Sequence, residues 1–164
     1  MPSNNVDELS PEKGLFELTL LNAESSGSTF DDVVIEGIKN GIPPEILTRL
    51  KGIWEVTKQI AGEVVAVGKI VIKQIFDFIK NNPHITIGLA LGAAVATLVG
   101  GIPLLGPLLQ PTSQLIGSIY GAGIGAALQA GDTSGSLYGA AIALASAFFE
   151  LFKNIINSIA DYWE

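Results

Sequence analysis

The sequence predicts an all-α protein in which amphipathic helices flank a hydrophobic, glycine-rich helical hairpin and a third apolar helix. Three observations predict it. Between Ile46 and Phe78 the apolar residues recur with a period near 3.6 rather than 2, the signature of a sided helix. From Asn81 to Gly131 there is no Asp, Glu, Lys or Arg. Small residues then recur at every fourth position in three rows: Gly88, Gly92, Ala96 and Gly100; Gly117, Gly121 and Gly125; and, across the acid Asp132, Gly131, Gly135, Gly139, Ala143 and Ala147. Residues four apart share a helix face, so each row is a smooth groove open to close approach by another backbone.

Four segments follow. Residues 1–44 form an acidic head with one short helix; 45–80 a long, basic amphipathic helix; 81–131 a hydrophobic helical hairpin; and 132–164 a third apolar helix with an amphipathic end. In the head, nine acids face two lysines over residues 1–45, and the structure of 1–27 is left open. Ser28 can cap a helix whose first turn holds Asp31 and Asp32, where the dipole favours acids. Asn40-Gly41 supplies its left-handed end and Pro43-Pro44 prevent continuation.

Pro44-Glu45 opens the long helix, expected to reach Lys80 with its apolar row Ile46, Leu50, Ile53, Ile60, Val64, Val67, Val71, Ile75 and Phe78. Six basic residues against three acids make 46–80 positive. Gly52, Gly62 and Gly68 each weaken the helix by about 1 kcal/mol relative to Ala, so a bend or break is expected near 62–68. Ile85 to Ile102 would extend about 27 Å, close to a hydrocarbon core of about 30 Å. Pro103, Pro107 and Pro111 are expected to turn the chain, with a return helix from Gln114 to Ala130 and a third helix from Ser136 to Phe149.

Composition points to a membrane. The 164-residue chain is 48% hydrophobic and 15% charged, with a mean hydropathy of +0.46, and the excess is small and apolar rather than aromatic. Membrane helices associate by close packing, which is what small-residue rows permit. The expected partners are therefore a lipid bilayer and further copies of the chain, as a homo-oligomer. A net charge of −7 argues against nucleic acid. The polar, acidic opening has no signal-peptide pattern, so synthesis in the cytosol without a cleavable signal is expected, with a soluble form able to insert later. The hairpin tip, 103–113, carries no charge, whereas both flanks do, so the pair should enter from one side. Lys69, Lys73 and Lys80 ahead of the apolar block, and Tyr162 and Trp163 at the end, are candidates for lipid headgroups. The competing reading is a buried helix pair in a soluble all-α protein.

The charge-free pair flanked by amphipathic helices resembles the hydrophobic hairpin of colicin-type channel domains and Bcl-2-type proteins, over 45–164 and in charge pattern. There such a pair is wrapped by amphipathic helices and later enters a membrane. The small-residue rows over 85–147 resemble glycine-zipper segments of bacterial two-pass proteins. The proline-broken apolar hairpin is similar to oleosin-type lipid-droplet proteins, although the oleosin proline knot is not matched.

No catalytic chemistry is visible. There is no cysteine, the lone His84 has no partner in sequence, and the acids fall singly apart from Asp7-Glu8 and the capping pair Asp31-Asp32. Gly121-Ala122-Gly123-Ile124-Gly125 has neither a preceding strand nor a following Lys-Ser/Thr, which excludes a phosphate loop. An enzyme, a cofactor and a metal site are not expected. Two functions fit: a pore- or channel-forming protein of the toxin, bacteriocin, lysis or cell-death effector type, or a non-conducting protein that anchors, shapes or coats a membrane or lipid droplet.

Overall fold

The computed structural model describes residues 9–121, 131 and 136–163, and these are predominantly helical. The head is not shapeless. Helix α1 spans Pro11–Ser25, started by the Ser10 hydroxyl, which accepts from the Lys13 amide at 3.2 Å, with Pro11 preset for the first turn. Helix α2 spans Phe30–Lys39. Its cap is Thr29 rather than Ser28. Thr29 accepts from the Asp32 amide at 3.3 Å while the Asp32 carboxylate accepts from the Thr29 amide at 3.4 Å. The acid three residues on answers its cap reciprocally, a capping box. Gly41 ends the helix at φ +83°, as Asn40-Gly41 predicts.

The long helix of 45–80 is replaced by two helices and a hairpin. Helix α3 is Pro44–Trp54, strands β1 (Lys58–Ile60) and β2 (Glu63–Val65) pair antiparallel, and helix α4 is Val67–Asn81. The break falls where the glycines predict weakness, but it is a reversal and not a bend. Ala61 and Gly62 take φ +54° and +83°, the consecutive positive pair of a tight hairpin turn. Ile60 and Val65 are both buried. Gly68 then seats α4 against the end of α3. Its amide donates to Val56 O at 3.0 Å, and a Cβ there would collide with the Ile53 carbonyl.

Helix α5 is Ile87–Gly101, shorter than the 85–102 span expected. A 3-10 turn at Pro103–Leu105 leads into helix α6, Gly106–Tyr120. The turn is therefore tighter than the three prolines suggest. Pro103 and Pro107 open their elements, where a missing N–H costs nothing, but Pro111 lies inside α6. The return helix consequently starts at Gly106 rather than Gln114, and the rest of the expected helix, 122–130, is outside the described residues. Helix α7 is Ser136–Phe148 and helix α8 is Glu150–Ser158. A 3-10 turn at Ala160–Tyr162 brings Trp163 to an antiparallel bridge with Ile60.

Helix α5 is the hub. It packs against α4, α6 and α7, and Leu91, Ala93, Ala94, Val95 and Leu98 are buried on its several sides. That is why it is apolar all round. Phe78, Phe148 and Phe149 fill the junction of α4 with α7, with ring centroids 5.1–5.6 Å apart. The α1 helix lies against α8 and α4.

Candidate functional site

The small-residue rows divide into inward and outward positions. In the first row, Gly88 is buried, and a Cβ there would lie 2.6 Å from the Tyr120 ring. Gly92 is half-buried beside Tyr138, while Ala96 and Gly100 are exposed. In the second row, Gly117 faces open space, and Gly121 ends α6 at φ +85°, a conformation that calls for glycine whatever it packs on. Gly125 is outside the described residues. In the third row, Gly131 has φ +89° and open space, Gly139, Ala143 and Ala147 are exposed on α7, and Gly135 is outside the described residues. Among the described row positions, Gly88 is the one whose added Cβ would meet a side chain within 3 Å. Gly92, Ala96, Gly117 and Gly121 line one open cleft of about 160 Å³.

That cleft has two companions that also border α7. One of about 260 Å³ lies between the end of α5 and α7–α8, over Ile102, Ile142 and Phe149, with Glu150 and Lys153 at its edge. Another of about 220 Å³ lies beside His84, Leu89, Leu137 and Leu144. Helix α7 itself buries only Ala141 and Ala145, and it exposes Leu137 and Leu144 by 43% and 42%. It is an apolar helix lightly seated on the hub.

The headgroup candidates do not gather in one patch. Lys69 lies 5.6 Å from the Trp54 ring centroid, a cation–π contact. Lys73 donates to the Ser28 hydroxyl at 3.0 Å. Lys80 is exposed at the end of α4, and Tyr162 is exposed at the C-terminal turn. Trp163 meets Lys58, whose Nζ stands 5.9 Å over its ring, rather than any of these three lysines. The acidic head touches the basic segment through packing and hydrogen bonds rather than ion pairs: besides Lys73 to Ser28, the Ala66 amide donates to Asn22 Oδ1 at 2.9 Å. The ion pair found among the described residues, Lys153–Glu150 at 3.4 Å, lies within α8.

The hairpin 58–65 is the element sequence reasoning missed. Trp163 from the C-terminal end bridges to it at Ile60, and its two flanks are held by Asn22 at Ala66 and by Gly68 at Val56. Gly62 after an apolar-polar run was its signal. Among the described residues, no group of three or more His, Cys, Asp or Glu side chains could hold a metal ion. No single helix among them is long and apolar enough to cross a membrane. Two bent pairs reach that length and composition together: Ile87–Gly101 with Pro103–Tyr120, bent by 118°, and Ser136–Phe148 with Glu150–Ser158, bent by 54°. Comparison of the chain with protein-family models, curated proteins and solved structures returns no match.

Proposed function

We propose that this chain is a membrane-inserting protein that oligomerises and forms a pore or channel, of the toxin, bacteriocin, lysis or cell-death effector type. The observation that carries the reading is the contrast around the charge-free block. Its first helix, α5, is sheltered by α4, α6 and α7, yet α7 leaves an uncharged face of Leu137, Gly139, Ala143, Leu144 and Ala147 in the open. Sheltering keeps an apolar pair in water until a bilayer offers a better solvent. The outward small residues are then free to pack copy against copy in lipid. Oligomerisation is part of the reading because a single chain has few helices with which to enclose a lumen.

A second reading, a non-conducting protein that anchors, shapes or coats a membrane, is favoured by one specific feature. Neither α5 nor α6 carries an Asp, Glu, Lys, Arg or His, so a wet lumen must be lined by α4, by hydroxyls or by backbone. Flotation of the purified chain with phosphatidylcholine vesicles, combined with release of an entrapped dye, tests both. Flotation with release supports the pore, and flotation without release supports the anchor. A chain that stays at the bottom of the gradient under all conditions overturns both.

A further inference from the structure

We propose that the C-terminal Tyr162–Trp163 segment is a clasp that holds α7 and α8 closed on the core, and that a lipid surface opens it by taking up its aromatic side chains. The clasp is built from three contacts on one hairpin. Trp163 bridges to Ile60, the Ala61 amide donates to Tyr162 O at 3.4 Å, and Lys58 stands 5.9 Å over the Trp163 ring. Beneath it Ile60 and Ile159 are buried. Each contact is weak alone: one ladder bridge, one long hydrogen bond, and a cation near the limit of cation–π reach. Such a set suits a reversible device.

What it closes is a sparsely buried apolar helix. Helix α7 is flanked by clefts and buries two alanines, and with α8 it forms a 54° bent pair with the composition of a span. For that pair to straighten, α8 must leave α1 and the Gly101 carbonyl, to which the Asn157 amide donates at 3.0 Å. Trp163 must leave Ile60 as well. The Tyr162 ring already faces solvent, and tryptophan and tyrosine favour the headgroup region of a bilayer. Lys58 alone would add attraction to anionic lipid, but Glu63 on β2 and Asp161 beside Tyr162 carry the opposite charge. Opening is therefore led by the aromatic rings and needs no anionic headgroup.

The chain has no cysteine, so Ile60→Cys with Trp163→Cys introduces a single disulfide, and residues bridged across antiparallel strands lie within disulfide reach. Hydrogen exchange reads the clasp without any membrane. Oxidation is expected to slow exchange across residues 136–159 by about tenfold relative to the reduced chain. Trp163→Ala, which leaves the core Ile60 in place, is expected to speed it relative to the native chain. Phosphatidylcholine vesicles should float the reduced chain and not the oxidised one. Equal exchange in the oxidised and reduced chains overturns the clasp. Flotation that requires phosphatidylglycerol, or flotation of the oxidised chain as readily as the reduced, overturns its opening by aromatic partition. The membrane surface as opener rests on the function proposed above, and the two fail separately. If no form floats while oxidation still slows exchange, the membrane reading falls and the clasp stands.

Discussion

Helices α5 and α7 are alike in sequence and opposite in situation. Both are free of charge, and both carry small residues at every fourth position. Yet α5 buries eight residues on several sides, while α7 buries Ala141 and Ala145 alone. The difference lies in neighbours. Helix α5 comes directly after α4, whose strongly sided apolar face covers it, and it is followed by a tight turn that folds α6 back. Helix α7 is covered along one edge and ends at Phe149, where α8 diverges to meet α1. Uncharged composition therefore marks which helices can be desolvated, and the order of the covering helices decides which of them are.

The sharpest way to break this comparison is to enlarge an alanine on each helix. Ala94 of α5 is fully buried, whereas Ala143 of α7 is exposed. Ala94→Leu forces three extra carbons into a filled interior and should cost about 3 kcal/mol or more. Ala143→Leu should change stability by less than about 0.5 kcal/mol. Denaturant titration of both variants measures the pair. Equal losses would mean that α7 is as covered as α5.

Glycine to alanine substitutions sharpen the same contrast, because the two helices should respond with opposite sign. At Gly88 the new methyl would lie 2.6 Å from the Tyr120 ring, near its attachment, so the ring must shift to admit it. Gly88→Ala should cost about 1–2 kcal/mol of clash against the gain in helix propensity. At Gly139 a Cβ meets open space, so Gly139→Ala should stabilise by about 0.5–1 kcal/mol. Thermal melts of the two variants settle the signs. A loss at Gly139 would reveal a packed partner on that face, which in detergent would be a second copy.

How much of this arrangement the sequence discloses depends on the range over which each signal acts. The all-α class, the helix at 30–39 and its Gly41 end are local, and local rules find them. The Ser10-Pro11 start of α1 follows the same local rules, but the short apolar run Leu15 to Leu21, broken by Glu17 and Thr19, fits a strand as well as a helix. The hairpin hid inside a helical pattern. Ile60, Val64 and Val67 fit a 3.6 period, but the pairing that wins sets Ile60 opposite Glu63, and long-range contacts from Asn22 and Trp163 secure it. The site fared less well. Fourfold spacing names Gly88 and Gly139 equally, and nothing along the chain says that one meets Tyr120 and the other meets solvent. The sequence offers Lys69 and Lys73 as lipid-headgroup candidates, and nothing along it shows that Trp54 and Ser28 from other elements engage them.

The smallest expected effect concerns the helix that does the covering. Asp77 lies in the last turns of α4, on the rim of a cleft shared with Asp32, Glu36 and Trp54. Partial burial raises its pKa above the ordinary 3.8; Lys80 and then Lys73 pull it down, and Glu24 adds to the rise. A carboxylate near a helix C-terminus also opposes the dipole. The sign follows from linkage. With the folded pKa above the unfolded one, the native chain binds the proton more readily, so stability falls as pH rises from 3.8 through the folded pKa. Above that window the ionised group is a standing cost. Asp77→Asn should therefore stabilise the protein at pH 7, by about 0.5 kcal/mol or less because the side chain is solvent-exposed and screened. The gain should vanish below pH 3.8, where both states are protonated in the native chain. Paired thermal melts of the variant and the native chain across that range measure it. A variant less stable than the native chain at pH 7 would mean that attraction to Lys80 and Lys73 outweighs burial, and that α4 holds its charges in a tighter network than the cleft suggests.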